Sequence, residues 1–126
     1  MKKIINTKNA SAPIGPYSQA VWAGDFLFLS GVVAIIPATG ETVNTGIADE
    51  THQVMKNINA VLTEAGLNFS HIVKTTVFLT DMSNFTAMNE VYGSYFKNNY
   101  PARETVEVSK LPKGVSVEIT VTAFKD

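Results

Sequence analysis

Residues 115–124 read Val-Ser-Val-Glu-Ile-Thr-Val-Thr-Ala-Phe, and apolar and polar side chains alternate without a break as far as Ala123. Successive side chains of a strand point to opposite faces, so this run predicts a strand with one continuous apolar face. The other face carries serine, threonine and one glutamate, Glu118, where a solvated surface typically carries lysine and glutamate. We therefore expect another subunit to cover that face, with simple solvent exposure as the alternative.

The apolar face of this strand requires a covering layer, and two amphipathic helices are predicted to supply it. Apolar residues recur three and four positions apart at about 47–65 and again at about 83–98, which is the pattern of a helix with one buried side. In the second helix the predicted buried stripe consists of five residues: Phe85, Met88, Tyr92, Tyr95 and Phe96.

Shorter runs rich in β-branched and aromatic residues predict the remaining strands. They lie at 20–23 and 26–30, joined by a Gly24-Asp25 turn, and at 72–80 and 104–108. Together with the helices they predict an α+β fold, a two-layer sandwich with both helices packed on one face of a mostly antiparallel sheet. We expect a single domain over residues 1–126, because the sequence has neither a linker nor an internal repeat.

The composition excludes several classes of chemistry. The 126 residues include no cysteine, which excludes disulfides, a thiolate nucleophile, an iron–sulfur site and cysteine-ligated zinc. A net charge of -1 gives no general attraction to nucleic acid or to an anionic membrane. The N-terminus shows no targeting pattern, so we expect a cytoplasmic protein without a membrane partner. His52 and His71 are predicted to be solvated surface residues and not catalysts.

Arg103 stands out as the only arginine among ten basic residues. It opens one predicted strand, and Glu118 lies within the next, so adjacent antiparallel strands would bring both side chains into one cleft. An arginine binds a carboxylate through two parallel hydrogen bonds, and a carboxylate in such a cleft is a candidate acid or base. A structural ion pair between Arg103 and Glu118 is the alternative, which the spacing alone favours.

The segment around Arg103 resembles the C-terminal signature of the YjgF/RidA family, the reactive intermediate deaminases. The resemblance rests on residues 101–108 (Pro-Ala-Arg-Glu-Thr-Val-Glu-Val), 111–113 and 117–119. Earlier segments match the same family: residues 12–19, Ser30-Gly31 and 72–79, followed by Asp81, Phe85, Asn89 and Tyr92. Because these segments cover essentially the whole chain in order, the resemblance is more specific than any single motif.

The resemblance implies a chorismate-mutase-like α+β fold and a homotrimer with three clefts between subunits. It implies hydrolysis of small 2-enamino or 2-imino acids, such as 2-aminoacrylate and its imine, to 2-keto acids and ammonia. Arg103 would bind the substrate carboxylate, and Glu118 would position or activate the attacking water. Tyr17, Ser30 and Asn89 would line the cleft, and backbone groups of Gly31 and Thr105 would bind substrate. Neither a metal nor an organic cofactor is implied.

The sequence departs from the family pattern at Glu104, where a small residue is usual, and at Thr105, where many members have cysteine. A glutamate in the cleft would repel a carboxylate substrate, but strand alternation predicts that Glu104 faces away from Arg103. Two other functions remain open. One is a trimeric protein that binds 2-keto acids as a regulator without turnover. The other is RNA cleavage, against which the charge and the lack of a basic run argue.

Overall fold

The central strand of the sheet is β7 (Val117–Phe124), the run whose alternation decides the fold. In this computed structural model, which describes residues 2–126, β7 pairs with three other strands. The sheet order is β1-β2-β3-β7-β5-β6, and β4 also pairs with β7. The strands are β1 (Lys3–Ile5), β2 (Ala20–Ala23), β3 (Phe26–Leu29), β4 (Val32–Val33), β5 (Ile72–Leu79) and β6 (Ala102–Glu107).

Both α-helices of the described chain, α1 (Ile47–Glu64) and α2 (Phe85–Ser94), pack on one face of this sheet. The alternating apolar residues of β7 are at most 1% exposed: Val117, Ile119, Val121 and Ala123. They form one core with buried side chains of α1 and α2, among them Val54, Ile58, Leu62, Met88 and Tyr92. The predicted two-layer α+β sandwich with a mostly antiparallel sheet is therefore confirmed. None of the helices in residues 2–126 is long and apolar enough to span a bilayer.

The prediction that the last two strands are adjacent in the sheet is wrong. We expected β6 and β7 to be adjacent and antiparallel, but β5 lies between them and β6 runs parallel to β5. The reason is topological: α2 connects β5 to β6, and such a helical crossover returns the chain in the same direction. This order decides where Arg103 and Glu118 lie relative to each other.

The second helix is shorter than predicted and differs in its buried stripe. A 3-10 turn (Met82–Asn84) precedes it, and it ends at Ser94 instead of reaching residue 98. Beyond it the chain turns back towards β6 through Asn99, whose φ is 53°, a conformation that asparagine tolerates. Phe85, which we expected to be buried, is 36% exposed. Its ring lies near Arg103 instead.

A one-residue bulge separates β3 from β4. Phe28 pairs with Thr122 and Val32 pairs with Ile119, so β7 has one residue fewer over this stretch than the opposing chain. The extra residue falls at Ser30-Gly31, where a bulge changes the direction of side chains and backbone groups. Ser30 and Gly31 therefore leave the regular ladder just before Val33, whose partner on β7 is Glu118.

The sheet face opposite the helices, called the open face below, carries three exposed aromatic rings. Phe26 lies 4.9 Å from Phe124 and 6.1 Å from Phe28, measured between ring centroids. The register places Phe28 beside Thr122, so these rings share a face with the even-numbered residues of β7. Coverage of this face by another subunit stays a prediction.

Candidate active site

Arg103 lies on the edge strand β6 and faces α2. Its Nη1 donates a hydrogen bond to Oδ1 of Asn89 at 2.7 Å. Its Cζ lies 4.9 Å from the centroid of the Tyr92 ring and 5.7 Å from that of Phe85. The guanidinium opens into a groove of about 590 Å³, the arginine groove, lined by Asn89, Glu90, Tyr92, Gly93, Tyr100, Pro101 and Arg103. This arrangement orients a guanidinium towards a space large enough for a small acid.

Glu118 lies on the open face, in a second cavity of about 320 Å³, the glutamate pocket. It is lined by Ser11, Ala12, Ile14, Tyr17, Ser30, Gly31, Val33, Ile35, Pro112 and Glu118. The Glu118 side chain packs directly on the bulge: a Cβ at Gly31 would lie 2.7 Å from its carboxylate. Any larger residue at position 31 would displace the carboxylate from its present position. Burial raises the pKa of Glu118, because the charged form loses solvation.

The loop before β2 completes the glutamate pocket and is held by specific hydrogen bonds. The Ser30 hydroxyl donates to the Ser18 carbonyl at 2.6 Å. The Ile14 N–H donates to the Tyr17 hydroxyl at 3.1 Å. Gln19, which is buried, ties this loop to the N-terminal segment by donating to the carbonyls of Thr7 and Ser11. Tyr17 and Ser30 thus line the same pocket as Glu118, and their contact with substrate stays a prediction.

Within one chain the two halves of the predicted site are separate. Arg103 is in register with Thr75 on β5, whereas Glu118 is in register with Phe78, three residues further along that strand. Two strand spacings and three residue rises separate their Cα positions by about 14 Å. Thr75 faces the helices and is buried, whereas Glu118 is on the open face. The expectation that neighbouring strands bring Arg103 and Glu118 into one cleft is therefore wrong, and so is the alternative of an ion pair between them.

The residues that follow Arg103 alternate in direction. Glu104 lies on the open face, where its carboxylate accepts a hydrogen bond from the Thr76 hydroxyl and lies 3.1 Å from Nζ of Lys74. These two partners hold the pKa of Glu104 below its ordinary value. Thr105 returns to the side of Arg103, and its buried hydroxyl oxygen has no hydrogen-bond partner within residues 2–126. Glu104 therefore faces away from the arginine groove.

Neither histidine lines the arginine groove or the glutamate pocket. His52 is exposed, and its Nδ1 lies 2.9 Å from the Tyr95 hydroxyl. His71 is not a freely solvated residue, contrary to expectation, because its side chain is 20% exposed and its Nδ1 accepts a hydrogen bond from the Asn68 N–H. That bond closes a turn before β5. The described chain also has no group of three or more His, Asp or Glu residues placed to hold a metal ion.

Phe85 and Tyr92, both predicted from the sequence to be buried, also lie next to Arg103. Tyr92 is buried in the core as predicted, whereas Phe85 is not. Their spacing of seven residues, with Asn89 between them, puts all three on one side of α2. Residues that form a buried apolar stripe and a row of residues that face a guanidinium recur at the same helical spacing, so spacing alone does not distinguish the two. The presence of Asn89 in the middle of that row was the available signal, because an amide interrupts an otherwise apolar face.

The chain matches a known family and known structures over nearly its full length. A family model described as Endoribonuclease L-PSP matches residues 7–125. A RutC family protein of Pyrococcus horikoshii is 52% identical over 126 residues, which is 100% of both chains. The 2-iminobutanoate/2-iminopropanoate deaminase of Homo sapiens is 42% identical over 125 residues, or 99% of this chain and 91% of that protein.

A crystal structure of a protein of the conserved Rid family from Yersinia pestis has a similar fold. The two structures superpose with a TM-score of 0.96 at 50% sequence identity, and the match covers 99% of this chain and 100% of the other.

Proposed function

This chain belongs to the YjgF/RidA family, to which the Endoribonuclease L-PSP model corresponds, and we propose that it hydrolyses reactive 2-enamino and 2-imino acids to 2-keto acids and ammonia. Candidate substrates are 2-aminoacrylate and its tautomer 2-iminopropanoate. Relatives named as deaminases of such imines support the proposal, at 42% identity in human and 43% in mouse. We expect a cytoplasmic hydrolase, which meets these intermediates where amino acids are broken down.

The observation that carries the proposal is that Arg103 is held in one orientation while some of its N–H groups have no partner among residues 2–126. Within the described residues Arg103 makes one side-chain hydrogen bond, to Asn89, and no salt bridge. Arg103 lines the arginine groove, and a guanidinium has five N–H donors, so donors beyond the one bonded to Asn89 remain for a ligand. A guanidinium held in one plane, without an acidic partner, is suited to bind a planar carboxylate through two parallel hydrogen bonds.

The proposed reaction requires little beyond orientation and one proton-transfer group. Arg103 holds the substrate carboxylate, which fixes the position of the adjacent C2. The Glu118 carboxylate accepts a proton as a water oxygen bonds to the electrophilic C2 of the protonated imine. That proton then passes to the amino nitrogen, and the C–N bond breaks to release ammonia. As the C2 carbonyl forms, the proton of the C2 hydroxyl passes to the Glu118 carboxylate, which then releases it to water. A positioned acid–base group contributes about 10²–10⁴-fold to such a step.

The proposed assembly is a homotrimer with its active clefts between subunits. Arg103 and Glu118 lie on opposite faces of one sheet, so only a second copy can bring a glutamate pocket against an arginine groove. The open face supplies the contact surface, because Phe26, Phe28 and Phe124 are 43%, 44% and 36% exposed on it. Exposed aromatic side chains grouped in this way are typical of subunit interfaces.

A coupled assay tests the activity. A pyridoxal-phosphate dehydratase acting on serine generates 2-aminoacrylate, and release of the 2-keto acid is recorded with and without this protein. We expect the protein to increase the rate above that of spontaneous hydrolysis in water. No acceleration at any protein concentration contradicts the proposal. If 2-keto acids bind without any acceleration, the chain is the carboxylate-binding regulator instead.

Glu118 is expected to set the acidic limb of the pH profile. Because burial raises its pKa, kcat/KM should fall as the pH is lowered through a value above that of an ordinary glutamate. Glu118→Gln should remove this limb and lower kcat by about 10²–10⁴-fold. The measurement is the pH dependence of initial rates for both proteins, with substrate supplied chemically. An unchanged acidic limb in Glu118→Gln contradicts the assignment.

Thermal unfolding provides the control for that variant. A carboxyl group whose pKa is higher in the folded chain contributes stability below its unfolded pKa, and this contribution is lost as the pH rises through the folded pKa. Above that range the buried charge of Glu118 disfavours folding, which a neutral glutamine does not. Glu118→Gln should therefore have a Tm at neutral pH that is equal to or higher than that of the wild type.

A further inference from the structure

Arg103 rests against three side chains of α2, here called the α2 platform: Phe85, Asn89 and Tyr92. Asn89 receives the hydrogen bond from Nη1. The two rings lie on either side of it along the helix, with centroids 5.7 Å and 4.9 Å from Cζ of Arg103. The quadrupole of an aromatic ring attracts a cation placed over its face. The α2 platform therefore limits both the position and the plane of the guanidinium.

The Tyr92 ring is itself held in place from the sheet. Its hydroxyl lies 2.8 Å from the hydroxyl of Thr75, and both residues are buried, at 4% and 1% exposure. Thr75 is also the β5 residue in register with Arg103. The contacts thus form a chain: Arg103 on β6 contacts Tyr92 on α2, and Tyr92 bonds to Thr75 on β5, the strand next to β6. Because the bond satisfies two buried hydroxyl groups, any tilt of the ring costs a hydrogen bond.

We propose that Tyr92, anchored by Thr75, is a positioning residue that holds the Arg103 guanidinium in the orientation that binds the substrate carboxylate. The inference rests on the proposed function, since it assigns Arg103 the carboxylate. Tyr92 borders the arginine groove, but the role proposed for it is exerted through Arg103. It acts by fixing the donors of Arg103 before the substrate arrives, so that binding does not have to order a long, flexible side chain.

If Tyr92 positions Arg103, its replacement should change KM but not kcat, whereas a residue that only packs in the core should not show this pattern. Binding of the carboxylate is equally strong in the ground state and the transition state, so loss of guanidinium orientation raises KM and leaves kcat unchanged. We expect Tyr92→Leu to raise KM for 2-iminobutanoate about tenfold, from the loss of the cation–π contact, with kcat within about twofold of wild type. Tyr92→Phe keeps the ring and should recover most of the affinity.

Tyr95→Leu is the matched control. Tyr95 lies on the same stretch of chain and packs against Phe69 and the core, but it makes none of the contacts described for Arg103. It loses a similar volume and should keep the wild-type KM. Equal KM values for Tyr92→Leu, Tyr95→Leu and the wild type overturn the proposal, as does a parallel fall in kcat in both leucine variants, which indicates general loosening of the fold.

A second variant guards against loss of folding. Tyr92→Phe combined with Thr75→Val removes both hydroxyl groups together, so neither is left buried without a partner. The ring then lacks its anchor in an intact core, and we expect KM to rise about threefold. A KM equal to that of the wild type shows that the Thr75 anchor has no role, which overturns that part of the proposal.

Calorimetric titration with 2-oxobutanoate separates this proposal from the proposed function. If the wild type binds 2-oxobutanoate but hydrolyses no imine, the proposed function fails while the role of Tyr92 is still tested by the Kd. In that case Tyr92→Leu should weaken binding about tenfold and Tyr95→Leu should not. A wild-type protein that neither binds 2-oxobutanoate nor hydrolyses imines overturns both proposals.

Discussion

Arg103→Lys is expected to lower kcat/KM for 2-iminobutanoate by about a hundredfold, mainly through KM. Lysine keeps the positive charge but offers a single ammonium group, so it cannot form two parallel hydrogen bonds with a carboxylate. A hydrogen bond to a charged group contributes about 1.5–3 kcal/mol, and about 1.4 kcal/mol corresponds to a factor of ten. The ammonium also cannot stack as a plane on the rings of Phe85 and Tyr92. Initial rates at varied substrate concentration provide the measurement.

Lys110→Ala is the control for charge. Lys110 is exposed and lies outside both the arginine groove and the glutamate pocket, so its loss changes the net charge as Arg103→Ala does. We expect wild-type kinetics from Lys110→Ala and a loss of about a thousandfold from Arg103→Ala, which removes the charge as well as both hydrogen bonds. If Arg103→Lys kept the wild-type KM, carboxylate binding by the guanidinium would be contradicted.

The features of the fold that could be predicted are those encoded in the local spacing of apolar residues. The alternation of residues 115–124 correctly predicted which face of β7 is buried, and the spacing of apolar residues located α1 to within a residue at its end. Periodicity says nothing about which strands become neighbours. Strand neighbours depend on the crossover through α2, so the sequence pattern predicts β6 beside β7 although β5 lies between them.

The residues of the candidate site could be proposed from the sequence, but the geometry that relates them could not. The rarity of arginine and the family resemblance single out Arg103 and Glu118, and the structure gives each a pocket. Their placement on opposite faces depends on the strand order and on the registers of β6 and β7 with β5. Phe85 was misassigned to the core because its distinguishing contact is with a residue on a distant strand, which helical spacing does not reveal.

Mixed trimers provide the strongest test of a cleft built from two subunits. Arg103→Ala and Glu118→Gln should each be nearly inactive as pure proteins, because every cleft lacks one essential group. When the two are co-expressed, some clefts combine the intact Arg103 of a Glu118→Gln chain with the intact Glu118 of an Arg103→Ala chain. With random assembly in equal amounts and a cyclic interface, about one cleft in four is complete, so about a quarter of wild-type activity should return.

The matched control for mixed trimers is Arg103→Ala co-expressed with the double variant Arg103→Ala/Glu118→Gln. No cleft can then contain an arginine, so activity should stay at the level of Arg103→Ala alone although the oligomers are mixed in the same way. Size-exclusion chromatography with differently tagged chains verifies that mixing has occurred. If verified mixed oligomers of Arg103→Ala and Glu118→Gln regain no activity, both groups must be supplied by one chain. In a single chain Arg103 and Glu118 lie on opposite faces of the sheet, so this result would require one of them to be removed from the active site altogether.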